Sequence, residues 1–179
     1  MRLLLLQITT IFLFLGLTFG QQDCDDNACC LPGGYQEIND PRRSVNGILQ
    51  AGQNAICDRV LTWGWYRFTS YVGGKMPTTK VDENRCGTIH PIWMKPPHPV
   101  VEDGTVDRKA CINFFGLLDG CFTQMDIKVR NCNGHYVYYL GPTFSCSLAY
   151  CAGRFLHRHI WDSRVMHLVC SFEGLGSVW

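Results

Sequence analysis

The stretch 125–140, MDIKVRNCNGHYVYYL, contains the strongest fold signal of the chain. Two β-prone runs, 125–132 and 135–140, flank the pair Asn133-Gly134. Asn-Gly favours a two-residue type I′ turn, because both central residues of that turn need positive φ. The sequence therefore predicts an antiparallel hairpin. Its short loop sets the register, with Lys128 opposite Tyr139 and Arg130 opposite Val137.

Alternation along this hairpin predicts one buried face and one solvated face. The face expected to be buried carries Ile127, Val129, Tyr136, Tyr138 and Leu140. The face expected to meet solvent carries Asp126, Lys128, Arg130 and Tyr139. Cys132 lies on this second face near the turn. We therefore expect its disulfide partner to come from a loop that covers the solvated side.

The rest of the chain shows turn signals at short intervals and no long helical periodicity. Gly or Asx-Gly pairs recur between residues 33 and 134, which favours strands joined by tight turns. The aromatic segment 63–68, WGWYRF, predicts a second strand. We expect its rings in the core; the alternative is an exposed contact face for carbohydrate or protein. The fold class is a mostly β, small disulfide-rich extracellular domain with irregular loops.

The segment 91–99 contains four prolines in nine residues. Proline cannot donate to a sheet ladder, so this composition predicts a stiff surface loop outside the sheet. Trp93 and Met94 lie in it. They either cover the core, which is the favoured interpretation, or are presented to a partner.

Composition and charge bound the classes of function. The chain has 179 residues, with 46% hydrophobic and 17% charged content, which suits one ordinary domain and excludes a disordered chain. Its formal net charge is only +1, and no basic run suggests a nucleic-acid partner. Residues 1–20 predict a secretory signal peptide, with Arg2 before an apolar stretch and small residues preceding Gln21. No later segment is predicted to span a membrane.

All eleven cysteines follow the predicted signal peptide, so we expect them to enter an oxidising compartment and form disulfides. Zinc is disfavoured, because Cys24/Cys29 and Cys146/Cys151 are spaced one step beyond the usual zinc knuckle. Spacing alone does not determine the pairing. Since eleven is odd, at least one cysteine is free or bridged to another chain, which allows a disulfide-linked dimer.

A series of motifs runs in order through this chain and resembles a known family. The motifs include Asp40-Pro41-Arg42-Arg43, Arg85-Cys86-Gly87-Thr88, Val129-Arg130-Asn131-Cys132 and Cys146-Ser147-Leu148-Ala149-Tyr150-Cys151. Together they resemble the eight-cysteine type of cysteine-rich domain found in uromodulin, the pancreatic secretory granule membrane glycoprotein and the liver-specific zona-pellucida-domain protein. The resemblance extends from about Cys30 to Cys151.

The resemblance implies a domain organisation and a set of paired cysteines. With the signal peptide predicted at 1–20, we expect 21–29 to be an N-terminal segment, 30–152 the cysteine-rich domain and 153–179 a short tail. The disulfide candidates are Cys30, Cys57, Cys86, Cys111, Cys121, Cys132, Cys146 and Cys151. Cys170, in the tail, is the first candidate for the unpaired or intermolecular cysteine, followed by Cys24 and Cys29.

Three departures from the family limit what the resemblance implies. Lys80 and Gly120 stand where longer-bridged relatives have cysteines, so we expect these two positions to be close in space. The chain has no N-x-[ST] sequon, so the glycan-decoy mechanism of the relatives is not transferred. The tail shows neither an EGF-like cysteine pattern nor a zona pellucida domain.

The sequence predicts a secreted, non-enzymatic binding module without a cofactor. It has no G-x-S-x-G or H-E-x-x-H motif, and only four glutamates from which to build a carboxylate pair. The expected partner is an extracellular protein or glycan. The predicted contact residues are Trp93, Met94, Lys128, Arg130 and Tyr139. The alternatives are a small secreted enzyme or toxin, or a fragment of a larger extracellular protein.

Overall fold

The computed structural model of the protein describes residues 24–153. The predicted signal peptide, Cys170 and the tail beyond Gly153 lie outside the described residues. Seven strands form one sheet in the order β1-β2-β6-β5-β4-β3-β7. The strands are β1 Gln36–Ile38, β2 Gly64–Phe68, β3 His90–Met94, β4 Thr105–Ile112, β5 Thr123–Asn131, β6 Tyr136–Leu140 and β7 Leu148–Tyr150. The β1–β2 and β3–β7 pairs are parallel, and the other pairs are antiparallel.

The mostly β prediction is confirmed. One short 3₁₀ segment precedes β1 and four lie between strands, and residues 24–153 contain no α-helix. These segments are Asp25–Cys30, Pro41–Arg43, Asp58–Val60, Val101–Asp103 and Leu117–Gly120. No helix in this described part is long and apolar enough to cross a bilayer.

The predicted hairpin is formed by β5 and β6 in the predicted register. Lys128 pairs with Tyr139, and Arg130 pairs with Val137. Asn133 has φ +51° and Gly134 has φ +119°, as the two-residue turn requires. The backbone N–H of Cys132 donates to the carbonyl of His135 over 2.8 Å and closes the loop.

One face of the sheet carries the main hydrophobic core. Ile127, Val129, Tyr138 and Leu140 of the hairpin are all no more than 2% exposed, and Tyr136 packs at their edge. The predicted second strand is β2, and its Tyr66 and Phe68 belong to the same core. Each large apolar side chain buried in this way contributes about 1.5–3 kcal/mol.

The second face of the hairpin, which was expected to meet solvent, is more extensively covered than the sequence predicts. Val137 and Tyr139 are buried there together with Trp65 of β2 and the N-terminal segment that carries Cys24 and Cys29. Cys30, from the 3₁₀ segment Asp25–Cys30, bonds to Cys132. The partner of Cys132 therefore does come from a segment that covers this face.

The prediction that the proline-rich segment 91–99 is a surface loop outside the sheet is only partly correct. Residues 95–99 do lie outside the strands, but His90–Met94 forms β3, between β4 and β7 in the sheet. Pro91 is tolerated because the β3–β4 pairing begins at Ile92, so no ladder bond on that side needs a proline N–H. Its carbonyl still accepts a hydrogen bond from the N–H of Asn113 at 3.1 Å.

Five disulfides join the ten cysteines of the described region. The pairs are Cys24–Cys29, Cys30–Cys132, Cys57–Cys146, Cys86–Cys151 and Cys111–Cys121. The eight cysteines that the resemblance implied are thus bonded among themselves. Cys24 and Cys29, proposed as unpaired, instead bond to each other, because the 3₁₀ segment between them brings their Cα atoms to 5.3 Å.

Candidate functional site

The predicted contact residues Trp93 and Met94 are not available to a partner. Trp93 is 9% exposed and Met94 is fully buried, because both lie in β3 inside the sheet. The indole Nε1 of Trp93 donates to the carbonyl of Gly120 at 2.9 Å. The prediction that Trp93 and Met94 contact a partner is therefore wrong. Both side chains pack in the interior of the domain.

The other predicted surface, Lys128, Arg130 and Tyr139, does not form one open face. Tyr139 is 7% exposed and lies between Trp63 and Trp65, with ring centroids 5.8 and 5.6 Å away. It was expected to meet solvent, but the aromatic residues of segment 63–68 cover it. Lys128 Nζ lies 3.6 Å from the Asp107 carboxylate.

Arg130 holds the N-terminal segment in place. Its guanidinium donates to Thr105 Oγ1 at 3.2 Å and also to the side-chain oxygen of Asn27. A third, longer contact of 3.5 Å reaches the carbonyl of Cys24. These contacts occupy guanidinium N–H groups of Arg130 that would otherwise be available to a ligand.

Lys80 and Gly120 are adjacent, as predicted. A Cβ placed on Gly120 would lie 2.7 Å from Lys80 Cγ, and 2.8 Å from its Cδ. In a disulfide, the Cβ of one cysteine lies about 3 Å from the sulfur of the other, so these positions have the separation that a bridge requires. The lysine stem packs over the glycine backbone at this place.

One cluster of potential metal ligands occurs in the N-terminal segment. The sulfur atoms of Cys24, Cys29 and Cys30 lie within 4.8 Å of one another. All three are oxidised in disulfides, and metal ions bind thiolates. The cluster therefore belongs to the disulfide framework.

An open groove of about 480 Å³ lies between residues 67–75 and the hairpin tip at residues 134–136. We call it the basic groove. Its polar side chains include Arg67, Thr69, Tyr71, Lys75 and His135. Tyr71 is 89% exposed, so its ring is available at the mouth. The volume lies within the range of natural small-molecule sites.

The shape of the groove follows from the sequence of its wall. β2 ends at Phe68, and the chain turns at Gly73, which has φ +116°. A Cβ on Gly74 would meet the carbonyl oxygen of Phe68 at 2.8 Å, so only glycine allows this close approach. The opposite wall is the Asn133-Gly134 turn, which exposes the hairpin tip.

The two permanent cations of the groove face aromatic rings. Arg67 donates to the hydroxyl of Tyr35 at 2.8 Å, and its guanidinium carbon lies 5.5 Å from the centroid of that ring. Lys75 Nζ lies 4.6 Å from the centroid of Tyr136. Within residues 24–153, neither cation forms an ion pair with a carboxylate. Their charges are therefore not neutralised at contact distance.

Neighbouring histidines respond to these charges. Burial, and then the charge of Arg67, lower the pKa of His135, although a hydrogen bond with the backbone of Cys30 partly opposes the shift. Burial, followed by the charges of Lys75 and Arg108, lowers the pKa of His98 to about 4. Both imidazoles are consequently neutral near pH 7.

The chemistry of the groove suits binding. Its walls contain hydroxyls, an exposed phenol and two cations, but no carboxylate and no thiol. A glycosidase needs a pair of carboxylates, and a cysteine hydrolase needs a thiolate beside a base. The groove provides neither arrangement.

No sequence motif identifies this groove. The pair Gly73-Gly74 is one of the recurring turn signals and 63–68 predicts a strand, but the residues between them carry no catalytic or metal motif. The available signal was a tyrosine, Tyr71, in a Gly-Gly turn followed by Lys75. The meeting of this turn with the hairpin tip, 60 residues later, depends on the β2–β6 pairing.

Comparison with protein families identifies the class of domain. Residues 66–152 match the family model of the uromodulin-like cysteine-rich domain of the eight-cysteine type. Residues 66–152 therefore match a uromodulin-like domain, and the resemblance recognised in the sequence is confirmed.

Individual relatives agree with this class. Pancreatic secretory granule membrane major glycoprotein GP2 from Rattus norvegicus is 40% identical over 118 residues, which cover 64% of this chain and 21% of the relative. GP2 from Mus musculus is 37% identical over 143 residues, covering 76% of this chain and 26% of the relative. Uromodulin from Rattus norvegicus is 33% identical over 142 residues, which cover 72% of this chain and 21% of the relative. The chain spans about a fifth to a quarter of the length of these relatives.

Proposed function

We propose that this protein is a secreted, non-enzymatic recognition module that binds an extracellular ligand in the basic groove. The observation that carries the proposal is the composition of the groove. Its exposed Tyr71, hydroxyls and unpaired cations can hold a ligand, while its walls contain no carboxylate or thiol for hydrolysis. The disulfide framework supports extracellular residence, because such bonds persist in oxidising compartments.

A rigid scaffold around the groove favours recognition. One wall of the groove follows β2 and the other precedes β6, and these two strands are adjacent in the sheet. The disulfide between Cys30 and Cys132 anchors the hairpin beside its turn. A preorganised surface loses little conformational entropy when a ligand binds. The groove can therefore bind without rearrangement of the fold.

The proposal is tested with the full chain secreted from cells and applied to arrays of extracellular glycans and matrix proteins. We expect saturable binding that Tyr71→Ala weakens at least tenfold. The matched control is Phe144→Ala, which removes another exposed aromatic ring, 62% exposed, from a different loop. The bound probe should be recovered with unchanged mass. Conversion of a probe to product, or saturable binding equally strong in wild type and Tyr71→Ala, would contradict the proposal.

A further inference from the structure

We infer that the ligand of the basic groove is an anionic saccharide, held through sulfate or carboxylate groups by Lys75 and Arg67 and through a sugar ring by Tyr71. This inference rests on the proposed function and specifies its ligand class. The three residues line one groove of about 480 Å³, which is large enough for a short oligosaccharide.

The positive charge of the groove is local. The whole chain carries a formal charge of only +1, so a general excess of basic residues does not explain it. Two exposed cations outside the groove are paired: Arg42 lies 2.7 Å from Asp40, and Lys109 lies 2.5 Å from Asp126. Arg67 and Lys75 instead face rings. An anion that enters the groove meets two cations that need not break an ion pair first.

The nearest acidic side chain on the adjacent strand does not neutralise Arg67. Glu37 of β1 stands beside Arg67 in the parallel β1–β2 register. Its carboxylate accepts a hydrogen bond from Thr69 Oγ1 at 3.3 Å. The depressed pKa values of His98 and His135, to which Lys75 and Arg67 respectively contribute, agree with a positive potential around the groove.

Aromatic and hydroxyl groups select a saccharide over a simple anion. Tyr71 offers an 89% exposed ring, which can stack on the apolar C–H face of a sugar. Thr69 and Ser70, next along the wall, offer hydroxyl groups that can donate to or accept from sugar hydroxyls. Inorganic sulfate would use the cations and leave these groups without a role.

The test measures binding of three probes to the full secreted chain by calorimetry at low salt. The probes are a sulfated heparin tetrasaccharide, a sialylated trisaccharide and a neutral mannose trisaccharide. We expect at least one acidic probe to bind at least tenfold more tightly than the neutral probe, and the difference to shrink as salt rises. The sulfated and sialylated arms identify which acidic group is preferred.

Two variants locate the binding. Lys75→Gln should weaken the acidic probe about tenfold, because it removes one charge-assisted contact. Lys95→Gln removes the same charge from an exposed loop outside the groove and should leave affinity within twofold. NMR titration of His98 monitors the fold of Lys75→Gln, in which the pKa of His98 should rise but remain below its ordinary value.

Each outcome separates the ligand class from the function. Neutral probe binding that Tyr71→Ala weakens and Lys75→Gln does not would overturn the anionic class and leave the recognition function standing. An equal loss of affinity in Lys75→Gln and Lys95→Gln would show nonspecific charge attraction and would contradict binding in the basic groove. Absence of saturable binding by every probe overturns the inference, and the same absence on the arrays overturns the proposed function as well.

Discussion

At the scale of single residues, a buried ion pair joins distant parts of the chain. The guanidinium of Arg43 donates to both carboxylate oxygens of Asp58, at 2.7 and 2.6 Å. Arg43 also donates to the carbonyl of Tyr150, and Asp58 accepts from the N–H of the same residue at 2.7 Å. Both side chains are at least 93% buried. Because each charge is matched by hydrogen bonds, the pair is tolerated inside the protein.

Arg43→Ala should lower the free energy of unfolding by about 3–5 kcal/mol, because it leaves Asp58 buried without its partner. Arg42→Ala is the matched control, since Arg42 is exposed and pairs with Asp40 at the surface. Arg42→Ala should lower the free energy of unfolding by no more than about 1 kcal/mol. Urea unfolding with disulfides intact provides the measurement. Similar losses in the two variants would contradict the role given to the buried pair.

The adjacency of Lys80 and Gly120 predicts that a bridge can form there. Lys80→Cys combined with Gly120→Cys should give a sixth intramolecular disulfide within the described domain, because the positions have disulfide separation. The positive φ of Gly120, +75°, should cost about 1–2 kcal/mol and offset part of the gain.

Peptide mapping under non-reducing conditions detects the new crosslink directly. Lys80→Cys with Gly116→Cys is the control, since Gly116 also has positive φ but no atom within 4 Å of an added Cβ. Free thiols at positions 80 and 120 in the secreted double variant would contradict the prediction, because they would show that the two backbones are not at disulfide distance.

At the scale of elements, the β5–β6 hairpin organises both faces of the sheet. Its turn residues Asn133 and Gly134 both have positive φ, and the second also lines the basic groove. The hairpin thus links the register of the sheet to the shape of the candidate site. A change in the turn is therefore expected to affect stability and binding together.

Gly134→Ala should destabilise the protein by about 1–3 kcal/mol, because φ near +119° is strained for a residue with a Cβ. Gly64→Ala in β2 is the control, since its added Cβ meets only side-chain atoms at 3.5 Å or more. It should cost well under 1 kcal/mol by comparison. Denaturant titration followed by tryptophan fluorescence measures both. Equal midpoints would contradict the turn assignment.

Local signals explain which elements are predictable from the sequence. The hairpin register follows from two adjacent residues, Asn133 and Gly134, so it could be predicted without knowledge of the fold. The placement of β3 could not, because tolerance of Pro91 depends on where its neighbour β4 begins to pair. The burial of Tyr139 likewise depends on Trp63 and Trp65, which lie at and just before the start of β2, about 75 residues earlier in the chain.

The candidate site was less predictable than the fold for the same reason. Its two walls are distant in sequence, and only the pairing of β2 with β6 brings them together. Hydrophobic residues predicted as contacts, such as Met94, lie in the core because a small domain needs them there. The disulfide pairing was also left open by spacing, since it reflects three-dimensional proximity.

At the scale of the whole molecule, the half-buried His98 joins the proline-rich loop to the core. His98 Nε2 lies 3.0 Å from the hydroxyl of Tyr138, which accepts a hydrogen bond from the N–H of Met76. A neutral imidazole whose Nε2 carries no proton can accept the hydroxyl proton of Tyr138. Protonation of His98 would place a positive charge in a half-buried position near Lys75 and Arg108.

This arrangement predicts a loss of stability on acidification. Burial and the charges of Lys75 and Arg108 lower the pKa of His98 to about 4 in the folded state, against an ordinary value of 6.5. Between these values the unfolded chain binds the extra proton, so the free energy of unfolding falls as the pH drops from about 6.5 to about 4. Well above pH 6.5, His98 is neutral in both states and makes no contribution to the pH dependence.

His98→Gln isolates this contribution, because glutamine can accept the hydrogen bond of Tyr138 and does not titrate. We expect the stability difference between wild type and variant to be constant above pH 7 and to shift in favour of the variant below pH 6.5. The shift corresponds to at most one proton per molecule, reduced by the partial solvent exposure of His98. Urea unfolding at pH 7.5, 6.0 and 4.5 measures it. The carboxylates and His135 titrate in both proteins and therefore cancel in the difference. Parallel pH profiles would show that folding does not lower the pKa of His98.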